Sequence, residues 1–209
     1  MKERAPVVFI VDDDDAVRGS LRLLLKSVGL AATALPTAQE FLDKYDPQQP
    51  GCLILDVRMP GMSGMELQQQ LNVRGATIPV IFITGHGDIP MAVEAMQQGA
   101  FDFLQKPFRD QDLIDRIQRA LAKDVTTRTE LNERSRLRER LDSLTPRERE
   151  VLALVTSGKP NKIMAADLGV SQRTVEIHRA RVMEKMHASS LAQLVRMVMD
   201  LNETATPEN

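Results

Sequence analysis

The chain has 209 residues, with 27 basic and 29 acidic side chains and 43% apolar residues, the composition of a folded globular protein rather than of a disordered one. Its longest apolar runs, Val7 to Val11 and Val80 to Thr84, are far shorter than the roughly 20 residues of a membrane-spanning helix, and Met1-Lys2-Glu3-Arg4 lacks the apolar stretch of a secretory signal. Cys52 is the only cysteine, so no internal disulfide can form; a reducing cytoplasm, with no membrane partner, is the expected setting.

Short β-branched runs alternate with helical patterns from Val7 to Leu121. Val7 to Val11 precedes a helix over Ala16 to Val28, and Ala31 to Leu35 precedes one over Ala38 to Tyr45. Cys52 to Leu55 leads to Met65 to Leu71, Val80 to Thr84 leads to Met91 to Gln97, and Phe101 to Leu104 leads to Asp110 to Leu121. Five strand-helix units in succession predict a doubly wound α/β domain, a five-stranded parallel sheet with helices on both faces. Such sheets bind ligands in the crevice at the carboxyl ends of their strands, so polar residues just after the strands should converge there.

Asp12 and Asp13 follow the first strand and Asp56 follows the third. Carboxylates that close repel one another unless a cation neutralises them, and hard oxygen donors suit Mg²⁺ or Mn²⁺ rather than zinc. Thr84 ends the fourth strand, and Lys106 follows the fifth and precedes Pro107. A carboxylate nucleophile, a metal, an ammonium and a hydroxyl together make a phosphoryl-transfer site. Asp56 would attack phosphorus, the cation and Lys106 would offset the equatorial charge, and Thr84 would donate a hydrogen bond to the aspartyl phosphate. Taken singly, Asp14 and Asp15 read as helix-capping or solvated residues, and Cys52 as core packing.

The segments Asp12-Asp13, Asp56-Val57-Arg58-Met59-Pro60-Gly61-Met62-Ser63-Gly64, Thr84-Gly85-His86-Gly87-Asp88 and Lys106-Pro107-Phe108 closely resemble the receiver domains of response regulators, which have a flavodoxin-like fold. The resemblance implies that Asp56 is the phosphoacceptor, that Asp13, Asp56 and the backbone carbonyl of Arg58 ligate the metal directly, and that Asp12 acts through water. It implies a cis peptide at Lys106-Pro107, switch roles for Thr84 and Phe103, and tuning of autodephosphorylation by Arg58 and His86. A stand-alone Mg²⁺-dependent aspartyl phosphohydrolase is the first alternative. Its Asp-x-Asp signature would need a carboxylate where Arg58 stands.

Residues 122 to 143 contain neither Pro nor Gly and place Leu131, Leu137 and Leu141 at helical spacings, predicting a helical linker between a receiver over 1–121 and a second domain over 144–201. Four helical stretches follow: Pro146 to Ser157, Lys162 to Leu168, Gln172 to Met186 and Leu191 to Leu201. Thr145, Pro146 and Glu148 form an N-terminal capping signature, Gly158 ends the first helix and Ser171 caps the third. Residues 202–209 read as a disordered tail. The front domain has 12 basic and 16 acidic residues and the back one 9 basic and 6 acidic, a balance that permits nucleic-acid binding without requiring it.

Leu144-Thr145-Pro146-Arg147-Glu148-Arg149-Glu150-Val151-Leu152, Asn161-Lys162, Ser171, Thr174-Val175, His178, Lys185 and Ser190-Leu191 resemble the four-helix helix-turn-helix output of the NarL/FixJ, or LuxR-type, regulators, with Arg173 to Ile177 and Val182 to Met186 closest to the FixJ branch. Pro160 departs from a frequent serine and Met164 from a usual isoleucine. On a helical wheel Val175, Val182, Met186 and His178 face the core, leaving Arg173, Glu176, Ile177 and Ala180 for base edges and Lys162, Ser171, Thr174 and Arg181 for phosphates.

The resemblance thus implies a phosphorylation-dependent transcriptional regulator, an activator rather than an enzyme. Its partners would be a sensor histidine kinase, double-stranded DNA and RNA polymerase. Phosphorylation would drive homodimerisation through the region from Pro90 to Leu104, with Leu194, Val195 and Val198 as a second contact between reader domains. A protein- or RNA-binding output is the second alternative.

Overall fold

A computed structural model describes residues 4–85 and 89–203, the side chains of the last two excepted. Two compact units divide between Thr129 and Glu130. The first contains β1 (Val7–Val11), α1 (Asp15–Ser27), β2 (Ala31–Leu35), α2 (Ala38–Lys44), β3 (Gly51–Asp56), α3 (Gly64–Val73), β4 (Val80–Thr84), α4 (Ile89–Gln97), β5 (Asp102–Gln105) and the start of α5 (Asp110–Asp142). All neighbouring strands are parallel, as the alternation of runs predicts, and they lie in the order β2-β1-β3-β4-β5.

β1, β3 and β4 are almost wholly buried, which is why they are dominated by Val, Ile, Leu and Phe. Successive side chains still point to opposite faces. Val8, Ile10, Ile54, Ile81 and Ile83 pack with Leu21 and Leu25 of α1 and Leu113, Ile117 and Ala120 of α5. Phe9, Val11, Leu53, Leu55 and Phe82 pack with Phe41, Leu67, Leu71 and Ala95 of α2, α3 and α4. Cys52 belongs to the first of these layers and is fully buried. Asp14 caps α1, and Ser63 with Glu66 forms a capping box on α3, so the turns leaving β1 and β3 are fixed where the acidic residues stand.

α5 is one helix of 33 residues and includes nearly all of the segment expected as a helical linker. The sequence reading closes the receiver at residue 121, whereas the compact first unit runs to Thr129. The physical reason is a polar clamp. Asp124 is only 1% exposed, and its Oδ2 accepts hydrogen bonds from the Gly51 amide at 2.9 Å and Arg128 Nε at 2.8 Å. Arg128 also donates to the carbonyls of Pro47 at 2.6 Å and Gln49 at 2.9 Å. A charge buried that deeply must be paired, so this turn of α5 stays with the sheet. Gly51 is obligatory beside it, since a Cβ there would lie 2.0 Å from the Val7 carbonyl oxygen.

The second unit contains the end of α5, α6 (Pro146–Thr156), α7 (Asn161–Leu168), α8 (Gln172–Lys185) and α9 (Leu191–Glu203). Thr145 and Glu148 form the anticipated capping box with Pro146 in the first turn, and Gly169 ends α7 in the left-handed region at φ 63°. Val151, Leu152, Val155, Met164, Val175, Val182, Met186 and Leu194 make its core. Leu194 is therefore a packing residue, and the expectation that it contacts a second reader domain is corrected: it is buried against α6 and α8 rather than presented to solvent. α9 extends through Glu203, so helix covers the first two positions expected as tail; residues 204–209 lie outside the described residues. No helix among the described residues is long and apolar enough to cross a membrane.

Candidate functional site

β1 and β3 are adjacent and pair Val11 with Leu55, so the next residues, Asp12 and Asp56, stand side by side at the carboxyl edge of the sheet where the strand order reverses. Lys106 leaves β5, two strands from β3 and three from β1, and reaches both carboxylates: its Nζ donates to Asp12 Oδ2 at 2.8 Å and to Asp56 Oδ1 at 3.1 Å. Both carboxylates are buried. The Arg58 amide donates to Asp56 Oδ2 at 2.8 Å, and the Asp14 amide to Asp12 Oδ1 at 2.9 Å. Thr84, buried at the end of β4, accepts the Lys106 amide on its carbonyl at 2.8 Å, and the Lys106-Pro107 peptide is cis. Gly64 closes the far side, because a Cβ on it would stand 2.2 Å from the Asp56 carbonyl oxygen.

Burial pushes the Asp56 carboxyl above its ordinary range, although hydrogen bonding to Lys106 and the Arg58 amide pulls the other way. For Lys106 burial acts to lower the pKa, but the bonds and charges of Asp12 and Asp56 together raise it, so the ammonium is held protonated between them. Among the described residues no group of three or more acidic, histidine or cysteine side chains is gathered for a metal. The donor chemistry nevertheless fits a hard dication. Every donor is an oxygen, Asp13 is exposed beside the buried pair, and an ion that keeps several waters needs no closed cage.

Other expected residues are more dispersed. Phe103 on β5 is partly buried against Phe82, ring centroids 6.5 Å apart. Arg58 is exposed, and His86 lies outside the described residues. Ile89, Val93 and Met96 leave an apolar strip of α4 in solvent, while Met91 packs toward the sheet.

In the second unit, α7, the turn at Gly169 and α8 form a helix-turn-helix. Ser171 Oγ accepts the Thr174 amide at 3.1 Å and lies 2.8 Å from Thr174 Oγ1, so both hydroxyls expected at phosphates also fix the start of α8. Val175, Val182 and Met186 pack inward, His178 is partly buried, and Arg173, Glu176, Ile177 and Ala180 share the exposed face. Lys162 and Arg181 are exposed as well.

Sequence reasoning missed the polar struts that orient this helix. Lys185 Nζ donates to Glu148 Oε2 at 2.7 Å and to the Ser143 carbonyl at 3.1 Å, Arg179 donates to Asn161, and Arg147 to the Leu168 carbonyl. Lys185 and the Thr145 amide hold the Glu148 carboxyl down at about 2. The capping box revealed only half of Glu148's role, since no spacing rule links it to a residue 37 positions away.

Comparison with known proteins agrees with both surfaces. Residues 8–118 match the response regulator receiver domain family, and residues 142–198 match the luxR family of bacterial regulatory proteins. The transcriptional regulatory protein FixJ of Azorhizobium caulinodans is 50% identical over 199 residues, covering 95% of this chain and 94% of that protein. The response regulator protein TodT of Pseudomonas putida is 45% identical over 204 residues, covering 98% and 90%. Among solved structures, the response regulator StyR superposes with a TM-score of 0.87 at 47% identity, over 93% of this chain and 98% of that one.

Proposed function

Because the chain belongs to the response regulators that join a receiver to a LuxR-type DNA-binding output, we propose that it is a transcriptional activator switched by phosphorylation of Asp56. The observation that carries this reading is the placement of Asp12, Asp56 and Lys106 within one hydrogen-bonded cluster at the strand ends. A carboxylate oxygen of Asp56 attacks the phosphorus of a sensor kinase phosphohistidine. The new O–P bond forms as the P–N bond breaks, and the imidazole leaves. Lys106 neutralises an equatorial oxygen, and Thr84 donates its hydroxyl to the transferred group. Mg²⁺ or Mn²⁺, held by Asp13, Asp56 and the Arg58 carbonyl with Asp12 acting through water, would supply further charge neutralisation. The chain is thus a phosphoacceptor rather than a turnover enzyme, with Arg58 and His86 tuning the lifetime of the acyl phosphate.

Movement of Thr84 toward the phosphoryl group, with Phe103 moving inward, repacks α4, whose exposed Ile89, Val93 and Met96 suit a homodimer contact. Paired reader helices then address two half-sites in duplex DNA. Arg173, Glu176, Ile177 and Ala180 meet base edges; Lys162, Ser171, Thr174 and Arg181 meet phosphates. RNA polymerase is the downstream partner, and such a regulator works beside the chromosome, in the cytoplasm.

The test is intact mass after incubation with Mg²⁺ and acetyl phosphate. Wild type gains a phosphoryl group only with the metal, Asp56→Asn gains none, and the phosphoprotein shifts to dimer by light scattering. Equal modification of Asp56→Asn would overturn the reading.

A further inference from the structure

Asp13 is exposed, yet the turn that carries it is held from several sides. Asp12 is fixed through its carboxylate by Lys106 and the Asp14 amide. Asp14 caps α1, accepting the Ala16 amide at 2.8 Å. The Asp12 amide donates to the Leu35 carbonyl at 3.4 Å, and a further restraint comes from Arg18, one turn into α1. Its Nη1 donates to the backbone carbonyl of Asp12 at 2.7 Å and its Nη2 to Asp15 Oδ1 at 2.9 Å. The Arg18 side chain is only 14% exposed, whereas a solitary surface arginine would extend into water.

We propose that Arg18 is a positioning residue for the divalent cation: its planar fork staples the end of β1 to the first turn of α1 and so presets the turn from which Asp13 meets the metal. This rests on the reading of the pocket as a Mg²⁺ site. The guanidinium's fork is the relevant property, since two fixed donors can hold a carbonyl and a carboxylate together where a point charge cannot. Preorganisation lowers the ordering cost of binding, and partners that orient metal ligands typically contribute 10- to 100-fold in affinity.

The staple and plain electrostatics act on Mg²⁺ affinity with opposite signs. Arg18 is a cation beside a cation site, so Coulomb repulsion alone makes Arg18→Gln bind Mg²⁺ more tightly and leaves Arg18→Lys unchanged. The staple makes both bind more weakly, Arg18→Gln by about tenfold and Arg18→Lys by a smaller factor.

Calorimetric titration of the full chain with MgCl₂ measures this directly, and Mn²⁺ titration followed by electron paramagnetic resonance repeats it by spectroscopy. With acetyl phosphate, the half-saturating Mg²⁺ concentration should rise while the rate at saturating Mg²⁺ stays within about twofold of wild type, a split that general loss of structure would not produce. Unchanged or tighter binding in both variants overturns the staple. If Arg18→Gln fails to fold, Arg18→Lys decides alone. Asp13→Asn distinguishes failure of the Mg²⁺ site from failure of the staple. Wild type that binds no Mg²⁺, or binds it as well without the Asp13 carboxylate, overturns the pocket reading and the staple with it; loss in Asp13→Asn alongside wild-type affinity in both Arg18 variants overturns the staple only.

Discussion

Truncating Arg128 to alanine should weaken the receiver unit by about 3 kcal/mol, the lower end of the range for breaking a buried ion pair. The lower end applies because the Arg128 side chain is 15% exposed and water can reach part of the vacated space, while Asp124 is sealed. The substitution removes three donated hydrogen bonds, to Asp124, Pro47 and Gln49, and leaves the Asp124 carboxylate with the Gly51 amide. Because that amide opens β3, the loss should be read in the strand itself. Hydrogen exchange of the amides of Gly51 to Asp56, followed by mass spectrometry, should accelerate by about a hundredfold if those amides open only with the whole unit. Asp124→Ala strands Arg128 instead and should cost a comparable amount. The double variant leaves no unpaired charge, so its cost should fall short of the sum of the two by more than about 1 kcal/mol. Exchange in Arg128→Ala within threefold of wild type, or strict additivity in the double variant, would refute the claim that this turn of α5 is an integral part of the receiver.

Gly64→Ala should displace the Asp56 carbonyl that its Cβ would strike, destabilising the receiver by about 1–3 kcal/mol and slowing acetyl phosphate labelling in a mass-spectrometric time course. Mg²⁺ at a hundredfold excess over its Kd should stabilise the wild-type receiver by about 2.7 kcal/mol, an increment that calorimetry should find lost in Asp13→Asn. Glu148 is depressed to about 2 in the folded unit, so an unfolded chain takes up its proton first as acid is added. Its stabilisation is present above the ordinary value of 4.5 and disappears as pH falls toward 2, and Lys185→Ala should move acid unfolding, followed by circular dichroism, to higher pH. Arg173→Ala should relax base preference by about 1–3 kcal/mol in duplex selection, whereas Arg181→Ala should weaken all duplexes alike and reduce the salt dependence of binding.

The parallel sheet with helices on both faces was legible because β1, β3 and β4 carry apolar runs between helical patterns, and the capping box at Thr145 marked the start of α6 correctly. The convergence of Asp12, Asp56 and Lys106 was legible because strand ends are easy to locate and a parallel sheet brings them to one edge. Long-range polar pairing left no such mark. Asp124 and Arg128 sit four apart in a polar stretch, the pattern of an ordinary solvated helix pair, and only the fold shows that their partners are backbone groups 73 to 81 residues away. Leu194 shows the complementary difficulty: an amphipathic helix has an apolar stripe whether it meets its own core or another molecule.

The burial of Cys52 has a practical consequence. Its thiol sits within the sheet, pushed up to about 12 by burial and by the Asp124 carboxylate, so at pH 8 only about one molecule in ten thousand carries the reactive thiolate, behind a wall that excludes reagent. The folded chain therefore behaves toward maleimides as though it had no cysteine. A cysteine introduced at exposed Val73 would take up a spectroscopic label alone, and α3 could be followed by fluorescence or electron resonance without first removing a residue from the core.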